Sequence, residues 1–305
     1  MRVTTILVAG TLDDDEWRLW WPLLQAALPE ERLVRERVEG DAADIDVALV
    51  ANPPPGTLQG LPNLRLIQSL WAGVDKLLAD PTLPAHVPIA RMVDPSMTDA
   101  MAQTALWAVL ALHRGYFEYA AQQRAGVWKQ QSAPRRADEV TVAILGMGEL
   151  GRRCARALVE QGYAVAGWSR GDGAAALPPL LARADIVLDL LPLTPATRGL
   201  FDAATFAQMR RGASFINLAR GAHVVDADLL AALATGQLAH AVLDVFSTEP
   251  LPPGHPYWSH PQVTVLPHVA APTDPRSAAP IAAANVRALR AGQPLANLVD
   301  RARGY

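Results

Sequence analysis

The sequence predicts two α/β domains, each a doubly wound parallel sheet. Three observations point there. Short apolar runs alternate with helix-length segments through most of the chain, the signature of βαβ units. The series is interrupted once, by a long apolar segment over residues 94–128, and then begins again. Finally, 305 residues, 50% of them apolar, suffice for two cores, so two domains of about 100–200 residues each are expected.

The first series opens with a strand in "TTILVAG" (4–10). The helix "DDEWRLWWPLLQAAL" follows, with Trp17, Trp20, Trp21, Leu24 and Leu28 spaced to share one face. "DVALV", "LRLIQSL" and "VPIARM" are further strands, and "NPPPG" (52–56) is a strand-ending loop. The segment 94–128 reads as one long helix with Ser96 at its cap. Apolarity on nearly all its faces fits either a core helix or a subunit interface. Met97 and Met101 read as core members of it that could also edge a cleft. The second series runs strand "VTVAIL", a helix from Glu149, strands "AVAGW", "DIVLDLL" and "SFINLA", helix "ADLLAALATG", and strands "HAVLDVF" and "VTVLPHV". The last segment, 277–305, is helical and then irregular, and is expected to cross back to the first domain.

Composition narrows the partners. The net charge of −3 is close to neutral and no basic stripe or acidic block appears, so nucleic acid is not an expected partner. One cysteine, Cys154, cannot form an internal disulfide, and it reads as a small buried hydrophobe. The N-terminal apolar run is too short for a signal peptide, and no run approaches the roughly 18 residues of a membrane span. A cytoplasmic protein is expected, with neither membrane nor metal in its chemistry.

"GMGELG" follows a strand and opens a helix, the context in which a glycine-rich turn cradles a dinucleotide. Gly146 permits the tight turn, Gly148 the approach of a pyrophosphate, and Gly151 close packing of helix on strand. The phosphates would sit on backbone N–H groups near Glu149 and Leu150. At the end of the next strand an acid would hold a ribose 2′-hydroxyl and repel a 2′-phosphate. Ser169 and Arg170 stand there instead. A hydroxyl donor and a two-pronged guanidinium favour the phosphate, hence NADP(H) over NAD(H). Asp172, close by, would partly offset the arginine's charge.

Three polar groups stand at later strand ends: Arg220 in "NLARGAHVVD", Glu249 in "DVFSTEPLP" and His268 in "LPHVAAPT". Ligands of open α/β sheets gather outside the carboxyl ends of the strands, so the three can converge. Reducing a carbonyl by hydride transfer also needs a proton for its oxygen. Histidine suits that task, a carboxylate on its far nitrogen favours the imidazolium and fixes the ring, and an arginine can hold a substrate carboxylate and polarise the carbonyl. His268 is therefore the acid/base, Glu249 its partner and Arg220 the anchor.

With these residues in place the chain resembles the D-2-hydroxyacid dehydrogenases over essentially its full length, through "GMGELG", "LLPLTPATRGL", "INLARGAHVVD", "DVFSTEPLP" and "LPHVAAPT". "SLWAGVD", "RMVDPSMTDAM" and "PLANLVDRARGY" are similar to the glyoxylate/hydroxypyruvate reductase A branch, which prefers NADPH and carries a similar Trp-Ser-Arg. The resemblance implies a flavodoxin-like substrate domain (1–97 with 278–305), a Rossmann cofactor domain (98–277) and a cleft between them. It implies that Leu191, Pro192, Leu218, Ala219, Arg220, Asp244 and His268 line the cofactor, Asp244 at the nicotinamide carboxamide. Ala72 and Gly73 would offer N–H groups to the substrate carboxylate. Trp71, where relatives often have glycine, would wall the substrate pocket or pack between the domains. The implied reaction is reduction of glyoxylate to glycolate or hydroxypyruvate to D-glycerate by a homodimer, with NADP(H) preferred and NAD(H) an alternative. Two other readings stand beside it: a reductase of bulkier 2-keto acids, and a nucleotide-sensing binding protein of the corepressor kind.

Overall fold

The computed structural model describes residues 5–37, 42–130 and 135–305. Thr4, expected in the first strand, lies outside them. The chain divides into two compact units, Met1–Met97 with Thr273–Tyr305, and Thr98–Pro272.

The first unit runs β1 (Thr5–Gly10), α1 (Asp14–Ala27), β2 (Arg32–Val34), β3 (Ile45–Ala51), β4 (Leu66–Ser69), α2 (Asp75–Leu78) and β5 (Ile89–Ala90), and α3 (Pro95–His113) leads out of it. Its five strands lie in the order β2-β1-β3-β4-β5, every pair parallel. β3 is buried at every position, as expected of a parallel strand covered on both faces. A reciprocal Asp13–Glu16 capping box starts α1. Of the five residues expected to share its apolar face, only Trp20, Leu24 and Leu28 are buried. Trp17 and Trp21 stay half-buried, and the guanidinium of Arg35 lies 4.2 Å over the Trp17 ring. A cation–π contact at the surface satisfies them where the core does not.

The second unit holds most of α3, then α4 (Tyr116–Arg124), β6 (Thr141–Leu145), α5 (Glu149–Glu160), β7 (Ala164–Trp168), α6 (Leu177–Arg183), β8 (Ile186–Asp189), α7 (Ala203–Gln208), β9 (Ala213–Asn217), α8 (Asp226–Ala234), β10 (Leu238–Leu243) and β11 (Val263–Val265). Its six parallel strands lie in the order β11-β10-β9-β8-β6-β7. The direction of winding reverses between β6 and β8, which places a ligand crevice at their carboxyl ends.

The long helix expected over 94–128 is two helices. Gly115 adopts a left-handed conformation (φ 66°) between α3 and α4, which only glycine takes at little cost. Nor does Ser96 cap α3. The helix already includes it, and Asp94 Oδ1 accepts the Ser96 N–H at 2.8 Å. Met101, Ala102, Ala105 and Val109 pack into the core with Val142, Ile144 and Cys154, so much of the apolar surface of α3 is core. The same burial pushes the Cys154 thiol up to about 12, which leaves it without thiolate chemistry near neutral pH.

The chain re-enters the first unit at Thr273, earlier than the expected residue 278. The cause is local. Helix α9 (Pro275–Arg290) is capped by Asp274, and Ser277 Oγ donates to Asp94 Oδ2 at 2.6 Å, so its first turn is already tied to the first unit. The buried face of α9 is largely alanine, which lets it lie close against α1 and β4. Asn285 donates to the buried Gln68 at 2.7 Å, and Arg290 pairs with Glu31 and Asp46. Beyond it Leu298 bridges Ala90, and Val299 N–H donates to Ile89 O at 2.8 Å, so the terminal segment covers the sheet edge at β5. Among the described residues no helix is long and apolar enough to cross a membrane.

Candidate active site

The glycine-rich turn joins β6 to α5 at the winding reversal. Gly146 has φ 105°, and a Cβ there would lie 2.5 Å from Leu190 O. A Cβ on Gly151 would lie 1.9 Å from Gly146 O. Both positions therefore require glycine for packing. Gly148 is different: a Cβ would meet nothing within 4 Å, so the bare backbone faces open space. The first-turn N–H groups of α5, at Glu149 and Leu150, have no acceptors within the helix. An open cradle of free N–H groups at a helix N-terminus fits a pyrophosphate. Sequence reasoning missed Arg152, which donates to Met147 O at 3.0 Å and to Glu149 at 2.6 Å and so puts a cation beside this cradle.

At the end of β7, Ser169 is already engaged. Its N–H and its hydroxyl both donate to Asp172 Oδ2, each at 2.7 Å. The two bonds hold the Asp172 carboxyl below its ordinary range. A 2′-phosphate would therefore compete with the Asp172 carboxylate for the proton of the Ser169 hydroxyl. Arg170 is exposed in the short 3-10 turn that follows.

The loop after β8 lies against Gly146 through Leu190 O. Leu191 is buried with its N–H on Asp189 Oδ1 at 3.0 Å, and Pro192 O accepts from Thr197 at 2.7 Å. After β9, the fully buried Asn217 shapes the chain. Its Oδ1 accepts from Ala219 N and its Nδ2 donates to Arg220 O, each at 3.0 Å. Leu218 and Ala219 are buried, and Arg220 Nη1 donates to Ala219 O at 2.7 Å.

Gly221 locks this loop to the next. A Cβ there would sit 1.9 Å from the carbonyl carbon of Phe246, backbone that cannot rotate aside. Gly221→Ala is expected to destabilise the fold by about 1–3 kcal/mol, the usual cost of overpacking. A thermal melt unchanged from wild type would contradict that close approach. Phe246 N–H in turn donates to Glu249 Oε1 at 2.9 Å, and Glu249 Oε2 lies 2.9 Å from His268 Nδ1.

His268 has φ 55°, a left-handed conformation uncommon for a residue with a side chain. Its N–H donates to Asp244 O at 2.9 Å, and the Asp244 carboxylate accepts from Val269 N at 2.7 Å and Ala270 N at 3.0 Å. Asp244 is 2% exposed, and burial pushes its carboxyl above the ordinary range against those two bonds. Each Asp244 oxygen already serves the backbone, so one further lone pair per oxygen is what remains for a carboxamide. The His268 side chain is 52% exposed. Its Nε2 makes no hydrogen bond among the described residues.

The second unit therefore joins Glu249 to His268 directly and ties the Arg220 loop to the Glu249 loop. Trp71, Ala72 and Gly73 belong to the first unit. The Trp71 ring packs edge-on against Trp20 at 5.8 Å, within its own unit. Ser69 Oγ donates to Trp71 O and accepts from Trp71 N, at 2.9 and 3.1 Å. Among the described residues, the Ala72 and Gly73 N–H groups donate to no protein acceptor.

The chain matches the NAD binding domain of the D-isomer specific 2-hydroxyacid dehydrogenases over residues 106–270. It is 40% identical to glyoxylate/hydroxypyruvate reductase A of Yersinia enterocolitica over 305 residues, 95% of this chain and 97% of that one. It is 42% identical to the protein of that name from Serratia proteamaculans, over 94% of this chain and 96% of that one. Among solved structures, it is similar to a D-isomer specific 2-hydroxyacid dehydrogenase from Xanthobacter autotrophicus Py2 in complex with NADPH and MES. That likeness has a TM-score of 0.92 at 40% identity, over 99% of this chain and 100% of that one. It is also similar to an NADPH-dependent glyoxylate/hydroxypyruvate reductase from Sinorhizobium meliloti in complex with NADP and sulfate, at TM-score 0.90 and 35% identity over 99% and 100%.

Proposed function

This chain belongs to the D-2-hydroxyacid dehydrogenase family, and from that premise we propose that it reduces small 2-keto acids, glyoxylate and hydroxypyruvate, with NADPH. The observation that carries the reading is the 2.9 Å contact of His268 Nδ1 with Glu249, which leaves Nε2 unengaged. A carboxylate only accepts, so Nδ1 holds its proton toward Glu249 and the ring is fixed. A protonated Nε2 then donates to the oxygen of the bound keto acid and gives up that proton as the oxygen becomes a hydroxyl.

A nicotinamide dinucleotide, when bound, supplies the hydride to the carbonyl carbon. Gly146, Gly148, Glu149, Leu150 and Gly151 would hold its pyrophosphate. Leu191, Pro192, Leu218 and Ala219 would border it, the buried ones through their backbones. The Arg220 guanidinium anchors the substrate carboxylate and polarises the carbonyl. Ala72 and Gly73 are proposed to offer backbone N–H groups to an anionic substrate, and Trp71, braced by Trp20, to restrict that substrate to small acids. We further propose a homodimer, since Trp128 is 94% exposed and a second copy would cover it. A monomeric mass by light scattering would overturn that part.

Arg170 is proposed to pair with the 2′-phosphate, and Asp172 to weaken that preference by its charge and by holding Ser169. Asp172→Ala is expected to raise the NADPH/NADH ratio of kcat/KM about tenfold, the scale of one hydrogen bond to a charged group. Arg170→Ala is expected to lower it by a similar factor. Unchanged ratios in both would remove these residues from the cofactor site. The reaction itself is tested by reducing hydroxypyruvate with NADPH and resolving the product on a chiral column. D-glycerate is expected, and L-glycerate or no glycerate would overturn the proposal.

A further inference from the structure

Asp189 ends β8, and His223 closes the 3-10 turn that follows Arg220. Both are 0% exposed, and His223 Nδ1 meets Asp189 Oδ2 at 2.6 Å. Neither side chain bonds to the side chain of Arg220, Glu249 or His268. Aspartate is almost never buried so completely unless paired, and a buried polar pair is often no more stabilising than apolar residues of the same volume. Here it also leaves His223 Nε2 buried without a partner among the described residues. Such an orphan is costly, so stability alone does not account for the pair.

Its connections do. Asp189 Oδ1 takes the Leu191 N–H at 3.0 Å, at the start of the loop after β8. Asp189 O takes the Leu218 N–H at 3.3 Å, and His223 N–H donates to Arg220 O at 3.2 Å. His223 O accepts from Phe201 N at 2.9 Å, and Ala222 O from Gly199 N at 2.9 Å. One carboxylate thus grips the loop after β8 directly and, through His223, the turn that carries Arg220. We propose that Asp189 and His223 are positioning residues that hold Arg220 in the orientation that anchors the substrate carboxylate. The proposal rests on the reading of Arg220 given above. The pair acts through the Arg220 backbone, not on substrate.

The test uses the full-length protein with His223→Leu, His223→Gln, His223→Asn, Arg220→Gln and the His223→Leu/Arg220→Gln double variant. Asparagine places its amide where Nδ1 stood and can still donate to Asp189. Glutamine places it where Nε2 stood and cannot, and it carries the test should leucine prevent folding. His223→Leu and His223→Gln are expected to raise KM for glyoxylate about tenfold, as a small misplacement of an anchoring group does. NADPH affinity, read from the fluorescence of the bound cofactor, should stay within about twofold in both. His223→Asn should restore KM. In the Arg220→Gln background His223→Leu should add nothing, because the two act as one unit. If Arg220→Gln impairs substrate binding while His223→Leu and His223→Gln do not, the positioning role alone is overturned. Additive effects in the double variant, or equal loss with Asn and Leu, also overturn it. If Arg220→Gln leaves KM unchanged, the anchoring role of Arg220 falls, and this proposal falls with it.

Discussion

Replacing His268 is expected to lower kcat for keto-acid reduction by about 10²- to 10⁴-fold, the range that a positioned general acid contributes. Asparagine is the informative replacement. His268 sits at φ 55°, and asparagine tolerates that left-handed conformation better than alanine does. Its amide is also short enough to leave the Asp244 contacts with Val269 and Ala270 in place. His268→Asn should therefore bind NADPH as the wild type does and melt at a similar temperature, while turnover collapses. The proton would then have to come from water. Near-full turnover in His268→Asn would mean that another group supplies the proton. Glu249→Gln tests the same pair from the other side. It keeps an oxygen for the Phe246 N–H but removes the carboxylate that fixes the ring, so a smaller loss of kcat is expected.

Arg220→Gln is expected to lower kcat/KM for glyoxylate by about 10²- to 10³-fold, as removal of one donor to a developing oxyanion does. The loss should divide between KM, from the lost carboxylate anchor, and kcat, from the lost polarisation of the carbonyl. Arg220→Lys should recover little of it, since an ammonium cannot reproduce a two-pronged contact. The backbone here is set by Asn217 and by the tight approach of Gly221 to Phe246, so a side-chain change should leave the loop in place. A normal kcat/KM in Arg220→Gln would remove the anchor and with it the proposed substrate class.

Much of this site is legible in the sequence because strand ends and glycine spacing are local signals. "GMGELG" announces its turn, and Glu249 and His268 follow strands whose apolar runs are plain. What escaped is mostly side-chain partnership. Ser169 and Asp172 have the three-residue spacing of a capping box, a signal present in the sequence but outweighed by the expectation of a phosphate. Asp189 ends an apolar strand, and nothing local reveals that its partner is His223. Asp94 and Ser96, two residues apart, both have side chains suited to a cap, and the choice depends on where the helix path begins. The break at Gly115 is hidden in the sequence because helical spacing continues on both sides of it. The strand β2, in charged "RLV", and the short helices α2, α6 and α7 carry too few residues for periodicity to register. Trp17 and Trp21 satisfy helical spacing equally well in the core or under an arginine.

The central claim is tested most directly by initial rates with glyoxylate and with hydroxypyruvate, each with NADPH and with NADH. The account predicts turnover of both acids, with kcat/KM higher by about tenfold or more for NADPH. Folded protein that turns over neither acid with either cofactor would contradict the proposed function, and equal or faster turnover with NADH would contradict the role given to Arg170.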